Sequence, residues 1–367
     1  NPWERISRMK AVMPNTQLSA ISTGMRFMSW DKASEDIMRM SLRLMAKHGV
    51  TRLQIAEPMN DVDATLKVTS WAKQEGFEYI VAATTFTESP VHTDQTYIDN
   101  AALFAGHPDV DAVYLKDPGG LLSVDRTREL IPALRQAVGE KPLELHSHCT
   151  TGEAPQLYVE AAKLGVDVLH TGLGPLSRGT AQPNLHDLLT NLDAAGIPVQ
   201  LNREPLDEVV EILEDVAKRQ DLPAGPPMTY DLRQHQHQIP GGMLGTLKRQ
   251  LKELKLADRF DDIVAEVGQV RADLGYPIMV TPFSQFVGSQ ALMNVLSQQA
   301  GQERYSTIPD EVIRFVLGQF GTPQGPISDV VRERIDSLPR ARELAEVKEP
   351  KTLAEVMADY AKANGTN

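Results

Sequence analysis

Between residue 1 and about residue 202, short apolar runs at 18–22, 53–56, 79–85, 112–115, 143–145 and 166–169 alternate with segments of helical periodicity. A further run at 198–201 is a candidate seventh. Strand, helix, strand in that order, with short loops, means parallel pairing, because the helix carries the chain back along the sheet before the next strand begins. The helical segments include 34–47 and 124–137; in and just after the latter, Leu130, Ile131, Leu134 and Val138 recur along one face. About six strand–helix units are visible, and a closed β/α barrel needs eight. The expected fold class is therefore α/β: a (β/α)8 TIM-type barrel whose first two strands are missing from this chain. A doubly wound open sheet would need no more strands. However, the Gly172-Leu-Gly174 pair lacks the third glycine of a dinucleotide loop.

Beyond residue 203 the pattern changes to helices alone, at 205–219, 245–256, 260–274, 286–299, 309–320 and 327–338, separated by Pro- and Gly-rich loops. The expected division is a partial barrel at 1–202, a helical domain at 203–343 that completes the cleft over the barrel mouth, and a charged tail or linker at 344–367. The opening Asn1-Pro-Trp-Glu-Arg already reads as a helix start, with no initiator Met, so processing or truncation is expected to have removed what came before.

The 367 residues carry a formal net charge of -12, which disfavours nucleic acid and anionic membrane surfaces as partners. No apolar run is long enough for a membrane span. A single cysteine, Cys149, excludes an internal disulfide framework and fits a reducing, cytoplasmic setting.

The chemistry concentrates in Leu143-Glu-Leu-His-Ser-His-Cys-Thr-Thr-Gly152 and in Lys116-Asp-Pro-Gly-Gly120 upstream. His146 and His148 lie two apart, so on extended chain both imidazoles leave one face and form a ready ligand pair for a divalent metal. The competing reading is two surface histidines beside a turn. Lys116 ends the preceding strand-like run, and polar residues at successive strand tips are how a β/α barrel builds an active site. Cys149 lacks an evident activating base. His237-Gln-Ile-Pro-Gly-Gly-Met243 puts Pro and two Gly before a helix, where backbone amides could face a ligand. Tyr276-Pro-Ile-Met-Val-Thr-Pro-Phe-Ser284 leads a strand-like run into a new helix, and on spacing alone Thr281 and Ser284 read as helix caps.

Together and in this order, these pieces resemble the carboxyltransferase domain shared by pyruvate carboxylase, the alpha subunit of oxaloacetate decarboxylase and the central subunit of methylmalonyl-CoA–pyruvate transcarboxylase. The resemblance runs through Asn1-Pro-Trp-Glu-Arg, Pro14-Asn-Thr, Met59-Asn-Asp61, Ser89-Pro-Val-His-Thr93, Lys116-Asp117, His146-Ser-His-Cys-Thr-Thr-Gly152, Gln182-Pro183, His237-Gln-Ile-Pro-Gly-Gly242 and Val280-Thr-Pro282, to about residue 340. It implies a divalent metal (Zn, Mn or Co) held by His146, His148, a carbamylated Lys116 and a carboxylate on a strand this chain does not contain. It also implies biotin on a carrier domain or partner chain, biotin carboxyl carrier and biotin carboxylase components as partners, and a homodimer. The implied reaction moves a carboxyl group between carboxybiotin and a 2-oxo acid, pyruvate- or oxaloacetate-like, through a metal-stabilised enolate. Thr281 matches the threonine that passes a proton between substrate and biotin; Ser284 and Gln285 match positions near biotin. Thr23, Arg26, Trp30 and Glu57 match or adjoin the substrate pocket. There the family's arginine is replaced by Thr23, its tyrosine by Trp30 and its aspartate by Glu57. Gln54 and His170 replace an arginine and an aspartate. Because threonine lacks a bidentate donor for a carboxylate, the acceptor is left open. Two rival readings remain: an aldolase-like or Claisen-type metallo-lyase on the same barrel, and a non-catalytic scaffold subunit.

Overall fold

The computed structural model describes residues 1–26, 32–222, 225–253, 255–347 and 349–365; Trp30 lies outside them. Six strands, β1 (Leu18–Ser22), β2 (Val50–Ile55), β3 (Tyr79–Thr85), β4 (Ala112–Asp117), β5 (Leu143–Ser147) and β6 (Val168–Leu169), form one sheet in sequence order. Every neighbouring pair is parallel. The expected run at 198–201 is not a strand: Val199 and Leu201 are exposed, with no sheet neighbour to bury them.

Strand alternation sorts the side chains. Leu53, Ile55 and Ile80 pack on Met38, Leu42 and Trp71 of the crossover helices Glu35–Lys47 and Val62–Gln74. Farther along, Val113, Leu115, Leu143 and Leu145 pack on Phe104, Leu130, Leu134 and Leu157. Each buried aliphatic side chain stabilises the fold by about 1.5–3 kcal/mol. On the other face Arg52, Tyr79, Tyr114, Lys116, Glu144 and His146 alternate with these residues, with Val81, Ala83 and Ala112 packed among them. That face is polar toward the C-terminal strand ends.

The second half of the chain is helical, as expected, around a core in which Phe283, Phe286, Phe315 and Phe320 meet edge to face or tilted at 5.3–6.3 Å. Two expectations fail here. The helix expected from 245 begins at Gly241, and the strand-like run before Thr281 forms no strand. Gly275 and Tyr276 both have positive φ, which turns the chain. Ile278 and Met279 are buried in the helical half rather than in a sheet. The tail forms an exposed helix, Leu353–Asn364, opened by a Thr352/Glu355 capping box.

Buried polar bonds join the helical half to the loops after β3 and β4. Thr87 Oγ1 donates to Gln238 Oε1 at 2.7 Å, Arg271 Nη2 donates to Glu88 O at 2.9 Å, and Gln234 Nε2 donates to Gly119 O at 3.0 Å. The helical half therefore sits against the C-terminal ends of the strands, where a β/α architecture places its chemistry.

Candidate active site

Lys116 and His146 are register partners at the ends of β4 and β5. His148 lies just past β5, its N–H donating to Asp117 O at 3.2 Å. The two imidazoles meet: His146 Nε2 and His148 Nε2 are 3.2 Å apart. His148 Nδ1 donates to Thr180 O at 2.6 Å, which leaves a lone pair on its Nε2. The Gln182 amide nitrogen, a donor, lies 3.2 Å from one Nε2 and 3.0 Å from the other. With His146 also protonated on Nδ1, the two Nε2 lone pairs would face each other and repel unless something positive lay between them. Two imidazole nitrogens sharing a tetrahedral ion at ordinary Zn–N distances lie about 3.3 Å apart, close to what is found here. The donor set therefore fits a divalent ion. Among the described residues no group of three or more His, Cys, Asp or Glu side chains could hold a metal, so a third donor would have to come from elsewhere, Lys116 included.

Burial pushes His146 well below the ordinary histidine range and also lowers His148, so both are neutral and ligand-competent at pH 7. Burial alone brings Lys116 down to about 8. A lysine in that range has an appreciable neutral fraction, the form that reacts with carbon dioxide.

The loop after β4 is built around Asp117, which is fully buried and pushed up to about 6 by that burial. Its oxygens accept from Leu121 N, Leu122 N and Ser147 Oγ at 2.7–3.0 Å, tying the β4 loop to β5. Gly120 has φ +62°, and a Cβ there would lie 2.4 Å from His148 O. Gly241 explains the glycine of the Pro-Gly-Gly segment: a Cβ would lie 2.6 Å from Thr180 O, the acceptor that orients His148. The amides expected to face a ligand therefore open a helix whose first turn packs on the histidine loop.

A second group of candidates gathers near the Phe core. Glu57 is pushed up to about 7, chiefly by burial, and its carboxylate accepts from Met59 N at 2.7 Å and Asp61 N at 2.9 Å. Arg26 donates to Gln319 O at 2.6 Å and stacks over Phe320 at 4.2 Å. Thr23 is half-buried beside them in sequence. The capping reading of Thr281 and Ser284 is corrected: Pro282 precedes the helix Phe283–Gln299, and no side chain caps it. Ser284 is buried with its Oγ 2.8 Å from Met243 Sδ, while Gln285 is exposed. Met243 and Gly241 share a helical turn, so one turn touches both Ser284 and the Thr180 loop. Cys149 is pushed up to about 12 by burial and stays a thiol, as a non-nucleophilic residue would.

Residues 235–366 match the family model described as a conserved carboxylase domain. The chain is 32% identical to a pyruvate carboxylase subunit of Methanocaldococcus jannaschii, over 91% of this chain and 58% of that protein. It is equally similar, at 32% over 91% of its length and 51% of the relative's, to the 2-oxoglutarate carboxylase large subunit of Hydrogenobacter thermophilus. The carboxylase-domain match covers the C-terminal third of the chain, and the likeness to the carboxylase subunits extends over most of the rest. The chain spans little more than half the length of these relatives. Its fold matches the carboxyl transferase domain from Rhizobium etli pyruvate carboxylase, solved with pyruvate, at a TM-score of 0.88 and 22% identity, covering 100% of this chain and 62% of that one. The family segment runs through the tail helix to residue 366, past the point near 340 where the sequence motifs end.

Family motifs pointed to Lys116, His146 and His148, but not to what holds them. Gln182 appeared only as part of a dipeptide motif, and Thr180 not at all. Glu144 stood in the quoted stretch with no role assigned, yet it is wholly buried and accepts from Arg52 Nη2 at 2.7 and 2.5 Å and from His170 Nε2 at 2.9 Å. A usable signal existed: Glu144 precedes His146 by two and shares its face.

Proposed function

We propose that this chain is the carboxyltransferase component of a cytoplasmic biotin-dependent carboxylase or decarboxylase, moving a carboxyl group between biotin and a 2-oxo acid of the pyruvate or oxaloacetate type. Biotin would be presented by a carrier and charged by a biotin carboxylase component, and the chain would work as a homodimer. In this reading β1–β6 belong to an eight-stranded barrel with residues 1–202 as its metal-holding core. Residues 203–343 close the cleft, and 344–367 form a tail. The observation that carries the reading is the convergence of two imidazole Nε2 atoms, 3.2 Å apart, beside a lysine held at about 8.

His146, His148 and a carbamylated Lys116 would hold the metal. The metal supplies Lewis-acid stabilisation of the negative charge that develops on the enolised 2-oxo acid. The chain's own residues do the rest. Thr281 Oγ accepts a proton from the substrate carbon and gives its own to the biotin nitrogen as the carboxyl group leaves it; the carbon then bonds to that carboxyl group, so no net charge builds on the hydroxyl. Ser284 and Gln285 flank the biotin side. Thr23, Arg26 and Glu57 would face the substrate, the side to which the resemblance also assigns Trp30. Glu57, half-protonated near pH 7, offers a hydrogen bond to a carboxylate that an ionised Asp or Glu would repel.

The test is carboxyl exchange between labelled oxaloacetate and biotin, with the carrier supplied. Activity that requires biotin and disappears in Thr281→Ala supports the reading. Decarboxylation equally fast without biotin would assign the chain to metallo-lyase chemistry instead.

A further inference from the structure

We propose that His170 is a positioning residue that sets the tautomer of His146, with Glu144 and Arg52 behind it fixing the direction of its hydrogen bonds. Glu144 is fully buried. An ionised carboxylate only accepts, and this one receives Arg52 Nη2 at 2.7 and 2.5 Å and the ring nitrogen His170 Nε2 at 2.9 Å. His170 therefore carries its proton on Nε2. The Gln182 amide nitrogen, which only donates, lies 3.2 Å from His146 Nε2, so that nitrogen accepts, His146 carries its hydrogen on Nδ1, and the His170 Nδ1 facing it accepts. His170 Nδ1 then presents a lone pair.

That lone pair faces His146 Nδ1 at 3.2 Å. The contact is a hydrogen bond only if His146 Nδ1 carries the hydrogen, which leaves His146 Nε2 open toward His148 Nε2 and Gln182. Reversing the relay would place an N–H at the meeting point of the two rings. His170 is held in turn: Tyr158 Oη donates to its backbone oxygen at 2.9 Å, and the Tyr114 ring lies tilted against its imidazole at 5.6 Å between centroids.

The two paired histidines reach the same tautomer by different means. His148 Nδ1 donates to a backbone carbonyl, Thr180 O, which can only accept. His146 Nδ1 donates to a ring that accepts only because Glu144 holds its other nitrogen. Side-chain substitution can therefore reverse His146 while leaving His148 as an internal control. The tautomer assignment stands on these contacts alone; its consequence for metal affinity rests on the function proposed above.

The experiment is long-range proton–nitrogen correlation on the ¹⁵N-labelled, metal-free protein, followed by Co²⁺ titration. In the parent, both His146 and His148 should show a protonated Nδ1. In Glu144→Gln, Arg52 keeps the amide oxygen and the NH₂ group turns to His170 Nε2, so His146 should switch to a protonated Nε2 while His148 does not. Should that variant fail to fold, His170→Phe carries the test, because it removes the acceptor and leaves the Arg52–Glu144 pair intact. There His146 should shift toward the Nε2–H form that free imidazole side chains prefer. Co²⁺ affinity should fall about 10- to 100-fold in either variant, the usual cost of losing an outer partner of a ligating histidine. A parent His146 protonated on Nε2, or a His146 unchanged in His170→Phe, overturns the inference. Correct tautomers and shifts with no Co²⁺ bound by any form sustain it and remove the metal reading instead.

Discussion

The strand tips and the turn at Thr281 are supported to different degrees. At the tips, each imidazole is held at its far nitrogen by a directed contact, His148 by Thr180 O at 2.6 Å and His146 by His170 at 3.2 Å. The lysine beside them is lowered to about 8 by burial. At the turn, Ser284 rests against a thioether, and neither Thr281 nor Ser284 caps the helix that follows. In the first region the ring nitrogens are aimed in advance, as the proposed ion site requires. The second offers a hydroxyl with no structural duty to its own helix. A proton shuttle can use such a group, since no cap fixes where its hydrogen and lone pairs point.

Replacing either region should therefore fail in different ways. His148→Ala should give the largest effect, about a ten-thousandfold loss of carboxyl transfer, the size expected when several kcal/mol of charge stabilisation disappear. Steady-state assays that find less than a tenfold loss would detach the histidines from the chemistry. Thr281→Ala should lower the rate about a hundredfold or more while the melting temperature stays at the parental value, because no cap is lost. A drop in melting temperature matching the loss in rate would make Thr281 structural.

Gly241→Ala probes the turn that links the two regions. Its Cβ would lie 2.6 Å from Thr180 O, so the loop must shift, at about 1–3 kcal/mol by denaturant unfolding, and metal affinity should weaken with it. Unchanged stability would mean that the halves are not coupled through Thr180.

The strand-tip lysine adds a pH signature. Its folded value is about 8 against an ordinary value of 10.5, so between those limits the unfolded chain binds more protons. Its contribution to stability should rise with pH from about 8 to 10.5, and Lys116→Met should flatten that rise in a melting series. Glu57, raised to about 7 from 4.5, works in the opposite sense. Its contribution is full below about 4.5 and is lost as pH rises through 7. The smallest effect belongs to exposed Gln285: Gln285→Ala should leave stability within about 0.5 kcal/mol and change only the apparent affinity for biotin.

The same contrast explains what could be read from the chain. The strand–helix order and extended-chain alternation are local signals, so the parallel sheet and the placing of Lys116 and His146 at successive strand tips followed from sequence. The run before Thr281 misled because apolar content does not distinguish a strand from a buried turn; the positive φ of Gly275 and Tyr276 and the neighbouring helices decide it. Pro240, Gly241 and Gly242 have poor helix propensity, yet a helix begins at Gly241, where only a glycine fits against Thr180. Arg52, Glu144 and His170 come from three strand regions spread over more than a hundred residues, and because β2 and β5 are not neighbours in the sheet, Arg52 reaches Glu144 across its polar face, a contact no local pattern announces.

The central claim is that His146 and His148 bind one divalent ion together with a carboxylated Lys116. Elemental analysis of the purified protein, dialysed above pH 8 with and without bicarbonate, tests it directly. The account predicts metal retained in proportion to bicarbonate by the parent and lost from Lys116→Ala, with ¹³C-bicarbonate giving a carbamate carbon signal only in the parent. Metal bound equally well by Lys116→Ala, or a parent that retains none under bicarbonate, would contradict it.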